Sequence, residues 1–148
     1  MSDSTDLRES PAYQLWLATN GWQRQVRKAL EPLGLTHVQF TILGSIWRLG
    51  SNGEPVTQAD VCRFGSLDPN MASEVVRSLE GKKFLTRFPH PTDGRARQLV
   101  LTASGTKMLQ RAREVVAPVS KAFFEPLGEE KTELARMLGI VARHAQSE

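Results

Sequence analysis

The stretch from Asp68 to Lys83, DPNMASEVVRSLEGKK, leaves this chain few folds to choose from. Asp68 is a strong helix N-cap, because its carboxylate accepts from the free N–H groups of the first turn. Pro69 follows at the first helical position, where a missing N–H has no consequence. Met71, Val75, Val76 and Leu79 fall on one face at helical spacing, and Asn70, Ser73, Glu74, Arg77 and Gly81 on the opposite one. The first face suits a core. The second is short, polar and able to donate and accept, which suits a helix that reads base edges and phosphates. Most helices with such a face are simply solvated, so the weight falls on the neighbours.

Upstream, Thr57 caps a short helix that ends near Phe64, with Gly65 suited to the left-handed residue past its end. Two short helices joined by a tight, glycine-containing turn make a helix-turn-helix. Past Lys83 the periodicity changes from helical to alternating. Phe84–Phe88 reads as a strand and Gln98–Leu101 as its partner. Between them lies PHPTDGRAR, in which Asp93-Gly94 is a strong turn dipeptide. A hairpin placed directly after a helix-turn-helix is a wing. Arg95 and Arg97 stand near its tip, where basic side chains can enter the narrow, electronegative minor groove. A solvated loop carrying two arginines for solubility is the plain alternative.

The remaining segments read as helices around this core. Residues 1–9 are expected to be disordered. Ser10 and Pro11 open a helix to about Leu30, whose stripe is Leu15, Thr19, Trp22, Val26 and Leu30. Thr36 and Gln39 form a T-x-x-Q capping box, with Leu35 and Phe40 placed as a hydrophobic staple. That helix runs to Gly50, and Glu54–Val56 is a candidate for one short extended segment. Thr102 caps a long helix to about Phe124, and a last helix spans about Glu129 to His144, with Leu134, Met137, Leu138, Val141 and Ala145 as its stripe. The outer helices carry apolar faces best covered by a second copy. The fold class is mainly α with a small β-hairpin (α+β). It is a single domain over 10–148, with a winged helix-turn-helix core at about 36–102 and dimerisation helices at about 10–31 and 103–146.

Charge supports the same reading. Residues 57–113 hold ten Lys and Arg against five Asp and Glu, while the rest of the 148 residues hold nine against eleven. The positive charge therefore gathers around the candidate DNA helix. His37, His90 and His144 lie in different elements, with no H-E-x-x-H, no paired Cys and no phosphate-cradling glycine loop, so neither an enzyme, a cofactor nor a metal site is expected. No apolar run reaches the roughly 18 residues of a membrane span, and the polar N-terminus is unlike a secretory signal. A cytoplasmic location is the default. Cys62 follows Ala59 and Val61 in a short amphipathic helix and reads as a small buried hydrophobe.

The order of elements resembles the MarR family of bacterial transcriptional regulators. The residues that carry the likeness are LTHVQFTIL (35–43), TQADVCRFGSLDPNMASEVVRSLEGKKFLTR (57–87) and PTDGRARQLVLTASG (91–105). The resemblance implies a homodimeric winged-helix protein that binds a palindromic operator, usually represses, and is often released by a small aromatic or phenolic effector. The chain departs from the family at two places. Phe84 stands where the family commonly has Gly, and Gly94 where it commonly has Arg after the wing Asp, which leaves the tip role to Arg95 or Arg97. Some relatives sense peroxides through a cysteine near the N-terminal helix, and this chain has none there.

The expected DNA contacts are Asn70, Met71, Ser73, Glu74 and Arg77 in the major groove. Thr57 and Gln58 are expected on phosphate, and Asp93, Gly94, Arg95 and Arg97 at the wing. The resemblance further implies an effector pocket between the dimer helices and the winged core, for which Trp16, Trp22, His37, Phe40 and Trp47 are the candidate lining. For each Trp, packing in the core or the dimer interface is the plainer role. A winged-helix module that binds protein, or senses a ligand without binding DNA, is the competing reading.

Overall fold

The computed structural model describes residues 6–147. Its helices begin where the sequence supplies caps. Thr36 opens α2 (His37–Leu49), Thr57 opens α3 (Gln58–Gly65), Asp68 opens α4 (Pro69–Gly81) and Thr102 opens α5 (Ala103–Phe124). In each, the cap side chain accepts a first-turn backbone N–H at 2.9–3.1 Å. The first two close into capping boxes, with Gln39 Oε1 and Asp60 Oδ2 accepting back from the N–H of Thr36 and Thr57. At α1 (Pro11–Leu30), Ser10 holds the N-cap position but its hydroxyl makes no capping bond. Pro11 alone marks that start. The expected disorder over residues 1–9 is corrected for its last part, since Asp6 caps a 3-10 turn at Leu7–Glu9. Residues 1–5 lie outside the described residues.

The left-handed residue past α3 is Ser66 (φ 51°), not Gly65. Gly65 stays in the helix and matters for space instead. A Cβ there would sit 3.1 Å from Leu67 Cγ, so a side chain at this position would crowd the turn into α4.

The core gathers around α2. Ile42, Leu43 and Ile46 pack with Val26 and Leu30 of α1, Val61 of α3, Val76 and Leu79 of α4, and Leu109, Ala112 and Val116 of α5, all buried. Burial of each Leu or Ile contributes about 1.5–3 kcal/mol relative to exposure, so this cluster, rather than any polar pair, holds the fold. The hairpin joins it through Leu85 and Leu99. Strands β1 (Leu85–Pro89) and β2 (Arg97–Leu101) pair antiparallel, with Leu85 opposite Leu101 and Pro89 opposite Arg97. The expected extended segment before α3 adds a single bridge, in which Leu99 donates to the Val56 carbonyl at 2.8 Å.

One corner fixes where the hairpin leaves the body. Lys83 is left-handed (φ 64°), and its carbonyl accepts from the hydroxyls of Thr102 (2.6 Å) and Ser104 (2.9 Å). Thr102 N–H donates to the Phe84 carbonyl at 3.1 Å. The same carbonyl oxygen lies only 1.8 Å from where a Cβ on Gly105 would stand, so the start of α5 can approach this corner only as glycine. Phe84 itself packs against the core, and the unusual backbone falls on Lys83.

The last helix, α6 (Lys131–Gln146), follows a 3-10 turn at Glu125–Glu130 and starts two residues later than its apolar pattern suggested. None of its residues is buried.

Candidate nucleic-acid interface

Helix α4 shows its polar face to solvent. Asn70, Glu74, Arg77 and Gly81 are exposed, and Ser73 is half-buried with its hydroxyl accepting from Arg77 Nη2 at 3.1 Å. The buried line is Ala72, Val76 and Leu79. Met71 and Val75 flank it half-buried, which corrects the expected stripe by one position at its start. Met71 is thus poised at the edge between core and outer face, whereas Asn70 and Glu74 stand clear.

At the start of α3, Thr57 and Gln58 are half-buried. The Thr57 hydroxyl oxygen already accepts from Asp60, and the Asp60 carboxylate occupies the positive end of the helix. The backbone hydrogen bond from Thr57 is the main cause holding Asp60 below the usual carboxylate range, and Arg63 adds to it. A phosphate approaching here meets an acid already in place and a Thr57 hydroxyl oxygen already engaged.

The wing tip is a closed turn. Ala96 N–H donates to the Asp93 carbonyl (3.1 Å), Arg95 N–H to Asp93 Oδ1 (3.0 Å), and His90 N–H to the Ala96 carbonyl (3.2 Å). Gly94 is not left-handed, so Asp93-Gly94 builds an ordinary rather than a mirror-image turn. Arg95 and Arg97 are exposed, and among the described residues neither guanidinium has a hydrogen-bond or acidic partner. Cation side chains left unpaired at a hairpin tip are available to an external anion.

Two links that the sequence reading missed anchor α4, one to the wing and one to the turn between α1 and α2. Arg87 on β1 donates to both carboxylate oxygens of Glu80 on α4, each at 3.1 Å. That bond holds the Glu80 carboxyl below its ordinary value. Lys82 at the end of α4 donates from Nζ to the Gly34 carbonyl at 3.1 Å, tying α4 to the turn between α1 and α2. The signal for the first was visible in the R-S-L-E-x-K-x-x-L-x-R run, where Glu80 stands in the last turn of the helix and Arg87 on the strand that follows.

The five candidate pocket residues do not line one cavity. Trp16 is 66% exposed on α1. Trp22 meets the His37 ring edge-on at 5.1 Å, donates to Ser120 Oγ at 3.2 Å, and lines a largely apolar cavity of about 560 Å³ among α1, α5 and α6. His37 opens onto a separate groove with Arg27, and burial, with the Arg27 charge adding, lowers its imidazole below the ordinary value. Phe40 and Trp47 border a third, smaller cavity of about 190 Å³, where Arg113 lies 4.7 Å over the Trp47 ring. Aromatic residues spread over two helices fall on different sides of them, which is the reason for the correction. Cys62 is half-buried, and burial pushes its thiol up, with Asp68 adding. Among the described residues no three His, Cys, Asp or Glu gather as metal ligands, and no helix is long and apolar enough to cross a membrane.

Comparison with known proteins places this architecture. The MarR family model matches residues 35–96. The HTH-type transcriptional regulator YdcH of Bacillus subtilis is 44% identical over 115 residues, covering 78% of each chain. The HTH-type transcriptional repressor Rv2887 of Mycobacterium tuberculosis is 31% identical over 115 residues, 77% of this chain and 80% of its own. Among solved structures, CouR of Rhodococcus jostii bound to p-coumaroyl-CoA superposes with a TM-score of 0.80 at 25% identity, covering 93% of each chain. A mutant MarR from Escherichia coli complexed with operator DNA gives 0.79 at 21% identity, over 95% of this chain and 99% of that one.

Proposed function

The chain belongs to the MarR family, and from that premise we propose that its exposed wing and α4 grip operator DNA. It is a sequence-specific double-stranded DNA-binding transcriptional regulator and not an enzyme. It acts as a repressor, like the Rv2887 protein to which it is similar. Helix α4 enters the major groove with Asn70, Ser73, Glu74 and Arg77, with Met71 at its margin and Thr57 and Gln58 beside the backbone. The wing, shaped by Asp93 and Gly94, reaches the adjacent minor groove with Arg95 and Arg97. The observation that carries this reading is the pairing of two features: unpartnered arginines at the wing tip, and a guanidinium–carboxylate link that fixes the wing's strand to α4.

The working unit is a homodimer in the cytoplasm, built by a single domain over residues 10–148. No residue of helix α6 is fully buried within its own chain, and the exposed side chains Trp16, Met137, Ile140 and Val141 lie on α1 and α6. A helix of that length is marginal in water without a packed face, so a second copy supplies the cover. Two-fold symmetry then places palindromic half-sites about 34–36 Å apart. A small aromatic or phenolic molecule releases the DNA, a role supported by the p-coumaroyl-CoA seen in CouR.

Fluorescence anisotropy with the duplex upstream of the protein's own gene tests this. The expected result is preferential binding to a palindrome within it, weakening steeply as salt rises. Equal affinity for scrambled duplex, or no binding at low salt, overturns the reading.

A further inference from the structure

The turn at the wing tip is held by an imidazole where a turn ordinarily uses a short polar side chain. His90 Nδ1 accepts the backbone N–H of Asp93 at 3.0 Å and that of Thr92 at 3.2 Å. A backbone N–H only donates, so the nitrogen that receives both carries no proton, and the ring's own N–H is on Nε2. Asp93, fixed in this way, passes the order on. Its Oδ1 holds Arg95 N–H and its carbonyl holds Ala96 N–H, while His90 N–H closes on the Ala96 carbonyl. Thr92, Asp93, Gly94 and Arg95 are all exposed, so no apolar packing maintains the shape. The hydrogen bonds from His90 onward maintain it.

We propose that His90 is the positioning residue of the wing, its bare Nδ1 setting the turn that aims Arg95. The inference rests on the DNA-binding reading above. The other tautomer, with its proton on Nδ1, would set a donor against two donors and could not hold the turn.

The test compares wild type, His90→Asn and His90→Ala on the fluorescent duplex from upstream of the gene, at constant ionic strength. Asn can offer Oδ1 where His offers Nδ1, so at about pH 8 His90→Asn binds within about twofold of wild type and His90→Ala about tenfold more weakly. Equal binding by wild type and His90→Ala overturns the proposal. Long-range proton–nitrogen NMR on the free full-length protein decides the point separately. The Nε2–H tautomer is expected for His90, and the Nδ1–H tautomer overturns it. If the wild type binds no duplex, the DNA-binding reading fails, and the spectrum still judges His90.

Discussion

Arg87 grips Glu80 with two arms of its guanidinium, Nε and Nη2 each lying 3.1 Å from a different carboxylate oxygen. The first residue belongs to the wing's entering strand and the second to α4, so one bond pair spans the two parts of the proposed DNA grip. Two parallel hydrogen bonds fix angle as well as distance, which a single contact cannot do. An exposed pair of this kind does little for stability. What it fixes is the angle between the helix and the arm that the proposed function assigns to the two grooves.

The pair therefore predicts a split between binding and stability. Arg87→Ala is expected to weaken DNA binding severalfold while moving the melting temperature little, as read by anisotropy and thermal denaturation side by side. The pH dependence has a definite sign. Because Arg87 holds the Glu80 carboxyl below its ordinary value, its contribution is complete above the unfolded-chain value of about 4.3 and disappears as pH falls through the lower folded value. The small difference in melting temperature between wild type and Glu80→Gln should thus be present at neutral pH and vanish in acid. A difference that grows on acidification contradicts the assignment.

Gly105 gives a sharper prediction about the fold. A methyl group there would stand 1.8 Å from the Phe84 carbonyl oxygen, a backbone atom that the Thr102 N–H also holds in place. Gly105→Ala should lower stability by about 3 kcal/mol or more in chemical denaturation, at the top of the range for overpacking. Gly94→Ala is its control. Nothing lies within 4 Å of that position and its φ is not left-handed, so its effect should stay within about 0.5 kcal/mol. Equal losses in the two variants rule out a close approach at Gly105.

What could be read from the sequence was what is decided locally. The caps at Thr36, Thr57, Asp68 and Thr102 involve residues three apart, and each forms as its spacing indicates. The hairpin was legible because alternation survives any docking. The choice of Ala72 over Met71 as the buried residue was not, because it depends on how α4 rotates against α2. Gly65 was assigned a backbone role when its neighbour Ser66 takes that role and Leu67 needs the space. In the candidate site, the exposure of the polar α4 face and of the wing arginines could be read, while the His90 turn and the Glu80–Arg87 link depend on contacts across loop and strand. The aromatic set failed for the same reason, since Trp16, Trp22 and Trp47 end in three different surroundings.

The outer helices predict an oligomeric state that a single substitution can change. Val141 is 59% exposed on α6, and an apolar face of this size on a helix with no buried residue needs a partner. Val141→Arg should convert the dimer to monomer in light scattering, because it places a charge where the second copy packs. Loss of helical signal should accompany it, as α6 frays without its cover. An unchanged mass with unchanged circular dichroism argues that the interface lies elsewhere.

The wing and α4 are expected to fail in different ways when altered, because the proposed function sets one on phosphate and groove and the other on bases. Arg95 and Arg97 have no protein partner to lose among the described residues, so replacing either with Ala removes only an external contact. Each substitution should weaken binding to all duplexes alike. In a dimer that loses two phosphate contacts it should flatten the slope of log affinity against log salt by about 1.8. Asn70 stands exposed near the start of α4, where its amide can both donate to and accept from one base. Asn70→Ala should leave the salt slope unchanged and instead erase about 1–3 kcal/mol of discrimination at one position in each half-site. Competition binding against single-base variants of the operator measures it. A uniform loss with Asn70→Ala moves that residue to the backbone, and an unchanged slope with both arginine variants removes the wing from the interface.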